Sequence, residues 1–451
     1  MPYQPLCRAH RLISKSVKTE LPGFETHKNY RPKAAVVFPS LPTSLIQLSP
    51  EARLEEACGL ALAINLDVVF ADIVKLREVK PATFLGHGYL EKLQEIIGSR
   101  DIELLIVDIS LTPIQQRNLE KKLNIKVIDR TALILEIFGE RAKTREGKLQ
   151  VELAHLNYQR SRLVRSWTHL ERQRGGAGFL GGPGETQIEL DRRIIDDKIV
   201  KIKKELQKVK QTRALQRNAR QRVPYPVVAL VGYTNAGKSS LFNRLAGADV
   251  FAKDLLFATL DPTMRRLRLP SGREIILSDT VGFISDLPHE LIMAFRATLE
   301  EVLEADLIVH VRDIANPNSG EQKKDVLAVL DNLGLKEVEQ QDKYIEVLNK
   351  TDLLTPEDHA SVLSLCERRL NVVPTSAVTG EGTGAFLRLV EEKLSAAHRQ
   401  TQIKIPAADG RLLAWIYSNS EVLDCQTKGE NLLLNIKINA VNLAKLEAKL
   451  S

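Results

Sequence analysis

The stretch Val227–Ser240, "VVALVGYTNAGKSS", constrains this 451-residue chain more than any other. Five apolar residues predict a buried strand, and "LFNRLAG" just after it predicts a helix. Between them, Gly232 to Ser239 fits G-x-x-x-x-G-K-[ST]. That pattern describes a loop whose backbone N–H groups wrap phosphates at a helix N-terminus. The strand–loop–helix setting makes the match strong and predicts an α/β nucleotide-binding domain. Gly232, Tyr233, Thr234, Asn235, Ala236 and Gly237 then form the cradle. Lys238 neutralises the β- and γ-phosphates, and Ser239 is a ligand for Mg²⁺.

The motifs downstream select the base. "NKTD", Asn349, Lys350, Thr351 and Asp352, follows the apolar run "YIEVL". A carboxylate at Asp352 accepts hydrogen bonds from guanine N1–H and the 2-amino group. Adenine offers neither, so it leaves the carboxylate unpaired. "TSA", Thr375, Ser376 and Ala377, offers a backbone N–H to guanine O6. The order of motifs points to GTP and GDP rather than ATP. "DTVG", Asp279, Thr280, Val281 and Gly282, supplies a carboxylate to hold Mg²⁺ through water and an N–H for the γ-phosphate. In "FATLD", Phe257, Ala258, Thr259, Leu260 and Asp261, Thr259 is the expected switch hydroxyl on Mg²⁺, with Thr263 the lesser candidate. Loss of the γ-phosphate releases both loops, which makes a two-state element. Phe283 stands where Ras-like GTPases carry the glutamine that orients the attacking water. Phenylalanine cannot do this, so the catalytic group is unassigned. Slow intrinsic turnover and stimulation by a large partner are expected.

Charge is concentrated rather than general. Residues 141–222 carry 21 Lys and Arg against nine Asp and Glu, a balance of +12, which leaves −5 for the rest of a chain of net charge +7. Such a segment is the electrostatic footprint of polyanion binding. Within it Leu149, Leu153, Leu156, Arg160, Leu163, Trp167 and Leu170 recur at alternating steps of four and three. Ile188, Ile195, Ile199, Ile202, Leu206 and Val209 keep the same frame. Two matched stripes predict an antiparallel helical hairpin, with separate helices on neighbouring domains as the alternative. "RGGAGFLGGPGETQ", Arg174–Gln187, is then its exposed tip, where glycine backbone can approach RNA closely. The candidate RNA contacts are Arg172, Arg174, Gly175, Gly176, Phe179, Gly181, Gly182, Gly184, Arg192 and Arg193, with Arg160, Arg162 and Arg165 along the helices. Phe179 suits stacking on a base or packing on its own loop. Trp167 holds a seam position. Glu185, Thr186 and Gln187 are read as a cap on the second helix ahead of an RNA contact.

The remaining chain divides by pattern. Ser49 is an expected N-cap with Pro50 at the first helical position. The run Val68–Val74, "ELLIVD" and "IKVID" alternate with helix-like "YLEKLQEIIGS" and "LTPIQQRNLEKKL", which predicts a small parallel α/β unit. The expected order is therefore a leader over 1–40, an α/β domain over 41–145, the basic hairpin over 146–222, a GTPase domain over 223–398 and a small α/β module over 399–451. The leader is polar and basic, without a secretory core, and fits a mitochondrial-type presequence and a disordered tail equally well. Cys7, Cys58, Cys366 and Cys425 show no ligand spacing and read as reduced thiols. No eighteen-residue apolar run suggests a membrane span. The expectation is a monomer in the cytoplasm, with peripheral membrane association in part and the mitochondrial matrix as the lesser alternative. It is expected to bind no DNA and to make no stable membrane insertion.

Over roughly Val68–Tyr417 the chain resembles the HflX family of translation-factor-related GTPases, in the Obg–HflX-like branch. The motifs that carry the resemblance are "GKLQVELAHLNYQRSRL", "GGPGETQIELDRR", "GYTNAGKSSLFNRL", "FATLDPTMRR", "DTVGFISDLP" and "NKTD". Of these, "GPGETQ" is specific to the family, and the Phe283 replacement is characteristic of its branch. The resemblance implies binding to the large ribosomal subunit and its rRNA, with the glycine tip reaching toward the peptidyl-transferase region. It also implies a role in splitting or recycling stalled or idle ribosomes. A GTPase accessory to RNA modification or ribosome assembly, and a non-ribosomal signalling switch, are the alternatives.

Overall fold

The computed structural model describes residues 31–41, 48–171, 183–220, 225–247, 257, 263–285, 301–396 and 398–439, with 443, 446, 447, 449 and 450. They form two compact units. One holds the described residues up to Glu140 and the helical stretch that begins at Arg162. The other holds Arg141–Ser161 and the described residues from Pro183 onward. No helix among the described residues is long and apolar enough to cross a membrane.

The first unit is a parallel sheet of β1 (Lys33–Ser40), β2 (Asp67–Lys75), β3 (Leu104–Val107) and β4 (Lys126–Asp129), ordered β2–β1–β3–β4. Between the strands run α1 (Pro50–Ala63), α2 (His87–Arg100), α3 (Pro113–Leu123) and, after β4, α4 (Arg130–Arg141). Local chemistry sets the helix starts. The Ser49 hydroxyl accepts from the Ala52 N–H at 3.2 Å, with Pro50 opening α1. Thr112 and Gln115 cap α3 reciprocally, with Pro113 at its first position. Ala35, Val37, Leu105 and Val127 of the sheet pack against Leu90, Leu93 and Leu119 of α2 and α3.

β1 corrects the expected leader. Lys33–Ser40 lies inside residues 1–40, yet it is an inner strand, and Ala34, Ala35, Val36 and Val37 are fully buried. A strand covered on both faces reads as a short apolar run without alternation, so "KAAVVF" passed as the end of a basic tail. Residues 1–30 lie outside the described residues.

Two carboxylates stand at the ends of β3 and β4. Asp108 follows β3 and Asp129 closes β4, and both are fully buried. Arg130 reaches Asp108 at 2.6 Å and Glu56 at 2.5 Å. Arg162 reaches Asp129 at 2.6 Å and the Leu111 carbonyl at 3.3 Å, with its side chain 18% exposed. Arg162 was expected along the RNA-facing surface. It is turned inward instead, because a buried carboxylate needs a charged partner.

In the second unit, the part of α5 (Arg145–Glu171) up to Ser161 and α6 (Pro183–Arg220) carry the matched stripes. Leu156, Ile199 and Ile202 form the core of a seam flanked by Leu149, Leu153, Ile195 and Leu206. Arg145 pairs with Glu205 at 3.4 Å and Arg160 with Asp196 at 3.2 Å. Residue numbers rise on one helix as they fall on the other, so the pair is antiparallel. α6 begins at Pro183, where the fixed φ suits a first helical position. Gly184, Glu185, Thr186 and Gln187 therefore belong to its first turn and not to a loop. Arg172, Arg174, Gly175, Gly176, Phe179, Gly181 and Gly182 lie outside the described residues. Arg165 and Trp167 lie on α5.

The nucleotide-motif region is a six-stranded sheet ordered β10–β9–β8–β5–β7–β6. Its strands are β5 (Val227–Val231), β6 (Thr263–Arg268), β7 (Glu274–Asp279), β8 (Leu307–Asp313), β9 (Tyr344–Asn349) and β10 (Val372–Pro374). Only the edge strand β6 runs antiparallel to its neighbour among them. The helices are α7 (Lys238–Ala246), α8 (Ser319–Asn332), α9 (Pro356–Glu367) and α10 (Thr383–Ala396). Val228, Leu230, Val309, Val311 and Ile345 pack against Leu241, Phe242 and Phe386. Then β11 (His398–Pro406), α11 (Gly410–Asn419), β12 (Glu421–Lys428) and β13 (Asn431–Asn439) make a three-stranded antiparallel sheet with one helix. Its core is Ile403, Ile405, Ile416, Leu434 and Ile436.

Candidate nucleotide site

The predicted motifs lie at the C-terminal ends of β5, β7, β9 and β10, the edge at which open parallel sheets bind ligands. Between β5 and α7 the loop turns so tightly that only glycine fits at two points. A Cβ on Gly232, at φ +153°, would lie 2.1 Å from the Val311 carbonyl oxygen. A Cβ on Gly237, at φ +88°, would lie 2.2 Å from Asn349 Nδ2. Lys238 opens α7 and folds back, donating to the Gly232 carbonyl at 3.0 Å and the Tyr233 carbonyl at 2.7 Å. Burial pushes its amine down to about 8, with Asp279 pulling the other way. An anion in the loop would find this ammonium already turned toward its backbone.

Asp279 ends β7 fully buried and accepts from the Ser239 hydroxyl at 2.6 Å. These two oxygens, with phosphate oxygens, match the hard donor set that Mg²⁺ takes. No group of three or more His, Cys, Asp or Glu residues suited to a metal gathers among the described residues. Beyond Asp279 the chain runs against the P-loop. The Phe283 N–H donates to the Gly232 carbonyl at 3.1 Å, and the Thr234 N–H donates to the Phe283 carbonyl at 2.7 Å. The Phe283 ring is 2% exposed. It therefore packs inward and holds backbone, which the sequence did not reveal. Phe257 is buried with φ 56°. Ala258, Thr259, Leu260 and Asp261 lie outside the described residues, and Thr263 opens β6.

Asn349 joins the base loops to the phosphate loop. Its Nδ2 donates to the Ala236 carbonyl at 2.9 Å, and its Oδ1 accepts from the Ala377 N–H at 3.1 Å. Lys350 pairs with Asp313 at 2.8 Å. Ser376 donates to Asp352 at 2.5 Å. Thr351 and Thr375 are buried beside them, and the Thr351 N–H donates to the Thr375 carbonyl at 3.2 Å. One contributor was not foreseen. Arg244 of α7 donates to the Thr379 carbonyl at 2.7 Å, fastening the "TSA" loop to the helix that starts at the phosphate loop. Arg244 lies in the helical part of "GYTNAGKSSLFNRL", which the G-x-x-x-x-G-K-[ST] pattern does not reach.

Four family models match the chain in order. They are described as "GTP-binding GTPase N-terminal" over residues 51–139, "GTP-binding GTPase Middle Region" over 141–220, "50S ribosome-binding GTPase" over 227–350 and "HflX C-terminal domain" over 361–451. A GTPase HflX of Magnetococcus marinus is 46% identical over 425 residues, covering 94% of this chain and 96% of that one. The chain belongs to the HflX GTPase family. A GTPase HflX of Escherichia coli is 45% identical over 338 residues, covering 75% of this chain and 78% of that one. Among solved structures, a GTP-binding protein from the hyperthermophilic archaeon Sulfolobus solfataricus in complex with GDP is 24% identical, with a TM-score of 0.43 over 81% of this chain and 99% of that one. As a member of the HflX family the protein is a GTP-binding GTPase, as its order of motifs implies.

Proposed function

We propose that this protein is a GTP-switched factor that binds the large ribosomal subunit through its basic helical pair and splits or recycles stalled or idle ribosomes. The observation that carries this reading is the basic segment, +12 over residues 141–222, borne on an antiparallel helical pair beside a GTPase domain. The family description "50S ribosome-binding GTPase" over residues 227–350 supports it. Arg192 and Arg193 are exposed on α6 and remain RNA-contact candidates, as do the tip residues from Arg172 to Gly184. Arg162 is committed to Asp129, and Arg160 is shared with Asp196.

In the same reading, Gly232 to Lys238 wrap the phosphates, and Asp352 with the Ala377 N–H selects guanine. Ser239 and Thr259 would hold Mg²⁺, with Asp279 acting through water. The ion supplies charge neutralisation at the phosphate oxygens. The Gly282 N–H reports the γ-phosphate, so loss of that group frees the flanking loops. With a buried phenylalanine at position 283, no side chain there orients water. Intrinsic turnover is slow and the large subunit accelerates it. The test is single-turnover GTP hydrolysis with and without purified large subunits. A stimulation of about tenfold or more is expected, since partner-completed GTPase sites gain far more than that. An unstimulated, fast rate by the protein alone counts against it.

A further inference from the structure

The backbone that carries Gly282 is anchored on both sides. On the near side, Thr280 Oγ1 donates to the Leu230 carbonyl of β5 at 2.6 Å. On the far side, the Ser285 N–H donates to the Tyr233 hydroxyl at 3.0 Å. The Tyr233 and Ser285 hydroxyls are 2.7 Å apart, and Ser285 Oγ donates to Asp325 Oδ2 at 2.5 Å. Serine has one hydroxyl proton, and here it goes to Asp325, which fixes the direction of the chain. The Tyr233 O–H gives to Ser285, and Ser285 gives to Asp325. Tyr233 and Ser285 are 4% and 8% exposed, which strengthens each bond relative to water.

The far end of the chain is itself held. Asp325 lies on α8, and Lys323, two residues earlier, pairs with Glu346 of β9 at 2.8 Å and with Glu339 at 2.5 Å. The second residue of the phosphate loop, the first residues after "DTVG" and helix α8 are thus tied together by side chains. The Phe283 backbone bridge lies inside this tie.

We propose that Tyr233, Ser285 and Asp325 are positioning residues for GTP hydrolysis. In a site without a glutamine to orient water, the relay keeps the Gly282 N–H and the Phe283 peptide at a fixed offset from the phosphate loop. A misplacement of about 1 Å costs on the order of 100-fold in rate, so a site that relies on backbone gains from a lock on that backbone. The proposal rests on the GTPase reading of this site.

Tyr233→Phe removes one oxygen and keeps the ring in place. In the full chain, single-turnover GTP hydrolysis should fall about tenfold or more, a clearly larger factor than any accompanying loss of GDP affinity. A residue that merely stabilised the fold would lower both together. Asp325→Ala removes the acceptor of the Ser285 hydroxyl from the half-buried side of a helix and should slow hydrolysis by a similar factor. The double variant should be no slower than the slower single one, because both break one relay. A wild-type rate in Tyr233→Phe, equal losses of rate and GDP affinity, or factors that multiply in the double variant would each overturn the relay alone. A wild-type chain that turns over no GTP would overturn the hydrolysis reading, and the relay with it.

Discussion

The Ser376 hydroxyl donates to the Asp352 carboxylate at 2.5 Å, and in the proposed reading Asp352 is the residue whose oxygens meet guanine. The bond fixes one oxygen of a side chain that otherwise stands exposed at the end of the base loop. Asp352→Asn replaces one acceptor by a donor facing guanine N1–H and the 2-amino group. Hydrogen bonds to charged groups contribute about 1.5–3 kcal/mol each, so affinity for GDP should fall by about 100-fold or more. Equilibrium titration with a fluorescent guanine nucleotide checks this. Unchanged affinity would remove Asp352 from the base site.

The amine of Lys238 gives the nucleotide affinity a predictable pH profile. In the empty site it is held near 8 by burial, against an ordinary 10.5. A bound polyphosphate favours its charged form. Affinity should therefore be flat below about pH 8 and fall above it, by at most about tenfold per pH unit, with one proton taken up per nucleotide. Calorimetry at several pH values in two buffers of different ionisation enthalpy measures that uptake. The folding contribution has the opposite dependence. The unfolded chain binds the extra proton between about 8 and 10.5, so the penalty for burying this amine is full below 8 and is relieved as pH rises. No proton uptake at pH 9 would contradict the assignment.

Phe283→Gln should not restore a Ras-like mechanism. The ring is 2% exposed and its peptide is bridged to Gly232 and Thr234. A glutamine would lose that packing and bury an amide, at a cost of about 2–4 kcal/mol. The expected result is a lower melting temperature with no gain in single-turnover rate. Faster hydrolysis would show that the side chain can reach the nucleotide.

Arg130 is the keystone of the buried charges in the first unit. It lies between Asp108 at 2.6 Å and Glu56 at 2.5 Å, and these neighbours hold its guanidinium in the charged form against the burial penalty. Removing one member of a buried pair typically costs about 3–5 kcal/mol. Arg130→Ala should therefore raise amide exchange across β3 and β4, while GDP affinity stays unchanged. Equal protection in both proteins would contradict this.

Much of this was legible because the signals are local. The phosphate loop needs glycine at positions 232 and 237 for steric reasons that act within one turn, and the seam of α5 and α6 repeats with helical period. What stayed hidden depends on partners distant in sequence. β1 looked like the end of a basic tail until β2 and β3 flanked it. Counting charges placed Arg162 on a binding surface, but Asp129, 33 positions away, claims it. Asp325 carries no motif, Arg244 lies in the helical part of "GYTNAGKSSLFNRL" outside the phosphate-binding pattern, and their roles come from the loops that the sheet brings to them. Pro183 could have signalled the start of α6, but the glycines beside it obscured that signal.

The most direct test is cosedimentation of the full chain with purified large ribosomal subunits, in GDP and in a non-hydrolysable GTP analogue, over a range of salt. The proposal requires tighter binding in the analogue, weakened steeply by salt as phosphate contacts are lost, and weakened again when residues 175–184 are shortened. Equal binding in the two nucleotide states, or no binding at all, would contradict it.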